Sequence, residues 1–167
     1  MAEGPVATFS PNLYFDSSLD IDAAKILPGE YYVTKRNMVL VTVLGSCVAA
    51  CIRDRVSGIG GMNHFMLPDS YRDNNDLTST SARYGAYAMK MMINQLMKMG
   101  ARRSNLEAKI FGGGSVVKWM VTANVGARYA DFAKQYLYNE GIAIKGQDLL
   151  DIYPRKVYVS LQAGVYW

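Results

Sequence analysis

From Met38 to Ile52 the chain reads Met-Val-Leu-Val-Thr-Val-Leu-Gly-Ser-Cys-Val-Ala-Ala-Cys-Ile, almost wholly apolar and broken only at Gly45-Ser46. Continuous β-branched runs of this kind form strands buried on both faces. The chain must therefore build a sheet and cover both its sides. Gly45-Ser46 interrupts the run just before Cys47, so a turn there presents that thiol at the end of a strand.

The flanking segments supply the rest of a mixed fold. Residues 31–34 read as a short strand, 35–37 as a polar turn and 54–58 as another turn. Residues 59–67 read as a further strand, whose Gly60 and Gly61 allow close backbone approach. Residues 68–76 form a polar loop. Residues 81–99 carry Ala82, Ala86, Met89, Ile93 and Leu96 at helical spacing, a buried stripe, with Thr78 to Ser81 as N-cap choices and Gly100 closing the helix. Tyr84, Tyr87 and Met91 make a second, outward stripe. Residues 106–111 form a strand that runs into Gly112-Gly113-Gly114. A second helix spans 124–140, with Val125, Tyr129, Phe132, Ala133 and Tyr136 on one face. Late strands fall at 142–145 and 156–162. This order predicts an α+β single domain, β-sheet layers or a sandwich flanked by two main helices. Residues 1–26 show no lasting periodicity and are expected to be a loosely ordered extension or a strap, ahead of a compact domain over 27–167.

The 167 residues fit one domain, and half of them are apolar. No stretch approaches the roughly 18–20 uninterrupted apolar residues of a membrane span, so no membrane insertion is expected. Two cysteines and no basic, apolar leader at the start suggest free thiols in a cytoplasmic setting. The net charge is +4, with basic residues scattered apart from Arg102-Arg103 and Arg155-Lys156. That is not the dense basic face of a nucleic-acid binder.

His64 is the single histidine of the chain. Any imidazole chemistry must use it, and only Cys47 and Cys51 could partner it as thiols. A thiol beside a histidine is the working pair of cysteine hydrolases and transferases. The bland readings are a small buried hydrophobe for the cysteine and a backbone-satisfied strand residue for the histidine. The turn at Gly45-Ser46 favours Cys47 as nucleophile, with backbone N–H groups there converging on an oxyanion. Cys51, inside the apolar segment, reads as packing. A neighbouring imidazolium would lower the thiol's pKa from its free value of about 8.5. Zinc is the rival use of the same residues. Cys-x3-Cys on an extended strand would hold its thiols about 13 Å apart, too far to share a metal, so no metal is expected. Gly112-Gly113-Gly114-Ser115 lacks the Lys-Ser/Thr pair of a phosphate loop and reads as close backbone approach lining a cleft.

Leu44-Gly-Ser-Cys-Val-Ala, Gly61-Met-Asn-His-Phe-Met-Leu-Pro68, Arg83-Tyr84-Gly85 and Ala108-Lys-Ile-Phe-Gly-Gly113 together resemble the CheD family of chemoreceptor glutamine deamidases. The resemblance runs from about Pro28 to the C-terminus. It implies a Cys-His-Thr active site: Cys47 as nucleophile, His64 as base and acid, and Thr42 as the hydroxyl that orients the ring. Val41 beside Thr42 faces the other side, so strand register decides that last assignment. Ser46, Gly45, Asn63 and Gly113 are the expected oxyanion and cleft residues. The family's Asp-Leu-Gly-Gly turn is here Asp148-Leu-Leu-Asp151, and Tyr129 stands where it usually has Asn. The resemblance further implies hydrolysis of receptor glutamine amides to glutamate without cofactor. The implied substrate is the cytoplasmic domain of methyl-accepting chemotaxis receptors, with a CheC-type phosphatase as partner. Two other classes compete: a non-catalytic receptor- or phosphatase-binding module, and a general cysteine amidase for small amides.

Overall fold

The computed structural model describes residues 12–67, 80–116 and 125–161. In chain order the elements are β1 (Asn12–Asp16), β2 (Ile21–Lys25), β3 (Tyr31–Thr34), β4 (Val39–Leu44), β5 (Val48–Asp54), β6 (Gly60–Asn63), α1 (Thr80–Lys98), β7 (Leu106–Gly112), α2 (Val125–Asn139), β8 (Ala143–Leu149) and β9 (Arg155–Ser160). They form a four-stranded sheet, β1-β2-β4-β9, and a five-stranded sheet, β3-β6-β5-β7-β8. This is the α+β arrangement of sheet layers with two helices that the sequence predicts.

Alternation along β5 explains the layering. Val48, Ala50 and Ile52 join Met89, Met92, Leu96, Tyr129, Ala133 and Leu137 in a core between the five-stranded sheet and the helices. Ala49 and Cys51 point the other way. They meet Leu40 and Leu44 of β4 and Val157 and Val159 of β9 in a second core between the sheets. All seven residues of β5 are buried, as expected of a strand with both faces covered. Burying an aliphatic side chain contributes about 1.5–3 kcal/mol, so these two cores carry most of the cohesion. Tyr84 and Tyr87 face outward, and Met91 is half-buried.

Three expectations are revised. Residues 12–25 are not loose: β1 and β2 pair antiparallel, and β2 adds parallel to β4. Ala23, Ala24 and Ile26 are buried. The segment Ile21-Asp-Ala-Ala-Lys has little strand propensity of its own; the open edge of apolar β4 supplies the pairing that makes it a strand. Second, β6 ends at Asn63 rather than continuing to residue 67, and the chain rejoins β5 only through the Val48–Phe65 bridge. Third, β8 extends to Leu149, held parallel to β7 through a register shift at Ala108/Lys109. The expected loop 68–76, the capping choices Thr78 and Ser79 and the ends at Asn124 and Gln162 lie outside the described residues. Among the described residues no helix is long and apolar enough to cross a membrane.

Candidate active site

Four strand ends meet at one edge of the sandwich: the close of β4, the start of β5, and the closes of β6 and β7. The β5–β6 register pairs Cys51 with Met62 and Ile52 with Gly61. Phe65 then exchanges two hydrogen bonds with Val48, at 3.0 and 2.9 Å. Continuing that register sets Ala49 opposite His64 and Cys47 opposite Met66. Cys47 and His64 therefore share the face that looks toward the other sheet, one diagonal step apart. Diagonal neighbours lie about 7–8 Å apart between backbones, within reach of long side chains. Cys47 is half-buried while His64 is only 3% exposed, so the pair opens to solvent at the sulfur. Met66, exposed beyond it, borders that opening.

Thr42 reaches the same space from β4. Its even position puts it on the inward face with Leu40 and Leu44, and it is fully buried. Its Oγ1 lies 2.8 Å from His64 Nδ1 and donates to the Ile26 carbonyl at 2.6 Å. This contact fixes the tautomer. A carbonyl only accepts, so the single hydroxyl proton of Thr42 is committed to Ile26. The Thr42 lone pair then accepts the proton of Nδ1, which leaves Nε2 as the free base of the ring. Thr42 is thus the residue of β4 whose side chain meets the imidazole.

The turn before Cys47 is braced by the glycine run after β7. Gly113 N–H donates to the Cys47 carbonyl at 2.9 Å, and Gly114 N–H to the Gly45 carbonyl at 3.1 Å. Gly112 has φ +108, and a β-carbon on it would collide with that same Cys47 carbonyl. Gly113 is therefore a brace, not an oxyanion donor, because its N–H is already spent. The N–H groups of Ser46 and Cys47 have no hydrogen-bond partner among the other described residues, and the Cys47 N–H lies against its own sulfur. Gly45 lends its carbonyl to the brace.

Asn63 does not line the cleft. It is buried on the opposite, helix-facing side, accepting the Ala50 N–H at 2.9 Å and contacting Met89 Sδ at 3.4 Å. Adjacent strand residues face opposite ways, so Asn63 could not share a face with His64 while both stayed extended. Cys51 packs in the inter-sheet core, and burial pushes its thiol well up. Among the described residues no three His, Cys, Asp or Glu side chains cluster closely enough to hold a metal.

The resting pair is neutral. Burial pushes the Cys47 thiol up, with its own backbone N–H pulling the other way. Burial likewise pushes the His64 imidazole down, opposed by the Ile26 carbonyl and by Glu30. Neither shift is the lowered thiol pKa that a neighbouring imidazolium would give. Such a site works by moving the thiol proton to Nε2 as the sulfur attacks.

Sequence reasoning missed Ile26 and Glu30. The Glu30 carbonyl accepts the His64 N–H at 3.1 Å, and Gly29 N–H donates to the His64 carbonyl at 2.8 Å. The available signal was Leu27-Pro-Gly-Glu30, with Pro at the second and Gly at the third position of a type II turn. Gly29 indeed has φ +85.

A half-open thiol, a buried imidazole and a hydroxyl bonded to its ring stand at one edge of the sandwich, the residue types that cysteine hydrolases and transferases use. A family model described as CheD chemotactic sensory transduction matches residues 66–167. The chain is 58% identical over 164 residues to the probable chemoreceptor glutamine deamidase CheD of Herminiimonas arsenicoxydans, covering 98% of this chain and 81% of that one. It is 61% identical over 153 residues to the protein of the same description from Thiobacillus denitrificans, covering 92% and 76%. The chain belongs to the CheD family. Among solved structures, Bacillus licheniformis hypothetical protein YfiH aligns at TM-score 0.42 and 16% identity over 74% of this chain and 49% of that one, a likeness too loose to carry an argument.

Proposed function

We propose that this protein hydrolyses the side-chain amides of specific glutamines in chemoreceptor cytoplasmic domains, yielding glutamate and ammonia. In this reading Cys47 Sγ attacks the carboxamide carbon while His64 Nε2 takes the thiol proton. The carbonyl oxygen becomes an oxyanion facing the Ser46 and Cys47 N–H groups. Nε2 then passes its proton to the departing nitrogen, and ammonia leaves behind a thioester. A water molecule, deprotonated by the same nitrogen, attacks the thioester, and the thiol is restored as glutamate is released. Thr42 holds the ring with Nε2 toward the reaction throughout, the part a third group plays in a triad. The reading extends to a cytoplasmic setting and to a CheC-type phosphatase as partner.

The observation that carries it is the Thr42–His64 contact. It fixes the proton on Nδ1 and frees Nε2, an arrangement that a receptor-binding module has no need for. The test is co-expression with a receptor cytoplasmic fragment, followed by mass spectrometry. The expected result is a gain of about 1 Da at particular glutamines, the mass change of amide hydrolysis, which vanishes with Cys47→Ala. Unchanged receptor with the wild-type protein, alongside stable binding, would favour the binding-module reading.

A further inference from the structure

The Cys-His-Thr set contains no carboxylate, yet one is wired to it. The peptide unit joining Ile26 and Leu27 has two ends. Its carbonyl, on Ile26, accepts the Thr42 hydroxyl at 2.6 Å. Its N–H, on Leu27, donates to Glu30 Oε1 at 2.8 Å. Glu30 N–H closes the turn on the Leu27 carbonyl at 2.9 Å, and its carbonyl takes the His64 N–H. A negative charge thus sits at one end of an unbroken chain: carboxylate, peptide, hydroxyl, imidazole. Hydrogen bonds in series polarise one another; the Thr42–His64 end of this chain is buried, while its Glu30 end faces solvent. An anion accepting the peptide N–H makes the Ile26 carbonyl a better acceptor. That in turn makes the Thr42 oxygen a better acceptor for Nδ1–H.

We propose that Glu30 is a fourth, positioning member of the site, delivering carboxylate charge to His64 through the Ile26–Leu27 peptide and the Thr42 hydroxyl. It does for the imidazolium formed during attack what a directly bonded aspartate does in a Ser-His-Asp triad, while staying off the ring itself. Among the described residues the charge that acts on the ring is that of Glu30, from this turn, and Cys47 lies a diagonal step away, just before β5. Burial disfavours the imidazolium and Glu30 opposes that penalty. Ile26 N–H donates to the Val41 carbonyl at 2.8 Å, which ties the peptide to β4 and keeps the chain of bonds in register. The proposal rests on the catalytic reading for its kinetic consequence, but the wiring is testable without it.

The experiment uses Glu30→Gln, whose amide oxygen can still accept the Leu27 N–H but carries no charge. With one histidine in the chain, the imidazole gives a single set of NMR signals. In E30Q it is expected to titrate at lower pH than in the wild type, with melting close to wild type. On receptor fragment kcat should fall about tenfold, a fraction of the 10²–10⁴ that general acid–base catalysis contributes, with KM unchanged. Glu30→Asp, which keeps the charge on a shorter arm, should titrate nearer the wild type. Should E30Q not fold, Glu30→Ala, which also removes the charge, is read in its place against wild type and E30D. An imidazole that titrates identically in E30Q and wild type, or an E30D that behaves as E30Q does, overturns the proposal. Absence of ammonia release from the wild-type protein would sink the proposed function and leave the NMR result to judge the wiring alone.

Discussion

Thr42 Oγ1 stands 2.8 Å from His64 Nδ1, although Thr42 lies in the four-stranded sheet and His64 directly follows β6 of the five-stranded one. The hydroxyl reaches into the inter-sheet space, where it also satisfies the Ile26 carbonyl. Replacing Thr42 with Val keeps the β-branched shape but removes both bonds. Thr42→Val is expected to lower kcat for ammonia release about 10²-fold, the lower end of the general acid–base contribution. It should cost about 1–3 kcal/mol of stability for the polar groups left unpaired. Thr42→Ser should restore most of the rate. Full kcat in T42V would show that the ring is oriented by something else.

The two thiols should separate cleanly under alkylation of the folded protein. Cys47 is half-buried and Cys51 fully buried in the inter-sheet core. Labelling is expected at Cys47 alone, followed by peptide mass mapping. Because burial raises the Cys47 thiol, its labelling rate should climb with pH beyond the ordinary cysteine range of about 8.5. A midpoint well below that value would indicate an ion pair in the resting site and contradict the neutral ground state.

The depressed imidazole sets two pH responses with the same sign. In the folded state His64 resists protonation, whereas in the unfolded chain it titrates near about 6.5. Below that value the unfolded state binds the extra proton first. The contribution of His64 to stability is therefore full above about 6.5 and is lost as pH falls through the folded value. Denaturant melts of wild type and His64→Gln from pH 7.5 to 5 should show the steeper loss in the wild type. The acid limb of kcat/KM should lie below about 6.5, since only the neutral ring accepts the thiol proton.

Leu150 and Asp151 have φ of 70° and 67°, left-handed values, and Leu150 is exposed. These are the two positions where the family pattern has glycines. Leu150→Gly should raise stability by roughly 1 kcal/mol, the left-handed penalty of about 1–2 kcal/mol less the extra chain entropy of glycine. The check is the denaturation midpoint. A drop would mean that Leu150 earns its place through contacts.

What the sequence disclosed and what it hid have physical causes. The apolar runs at β4 and β5 and the helical stripes around Met89 and Ala133 carry their own burial pattern, so they read directly. Cys47 and His64 stood out as candidates because a turn signal and a solitary imidazole leave little choice. β1 and β2 were not legible, since their stability comes from an edge 15 residues and more away rather than from local propensity. The neutral resting state of the thiol was hidden as well. It depends on how deeply the strand ends are covered, which no spacing reports. Asn63 was misassigned because a motif lists neighbours in sequence, whereas a strand sends them to opposite faces. Ile26 and Glu30 escaped because one acts through its backbone and the other through a turn.

The imidazole hangs from one sheet and its hydroxyl guide from the other, so the two slabs must hold their alignment to a fraction of an ångström for the chemistry to run. A slip between them too small to unfold the protein would silence it. Turnover in this molecule is thus a gauge of shear, and substitutions buried deep between the slabs, far from any sulfur, can register first as lost catalysis.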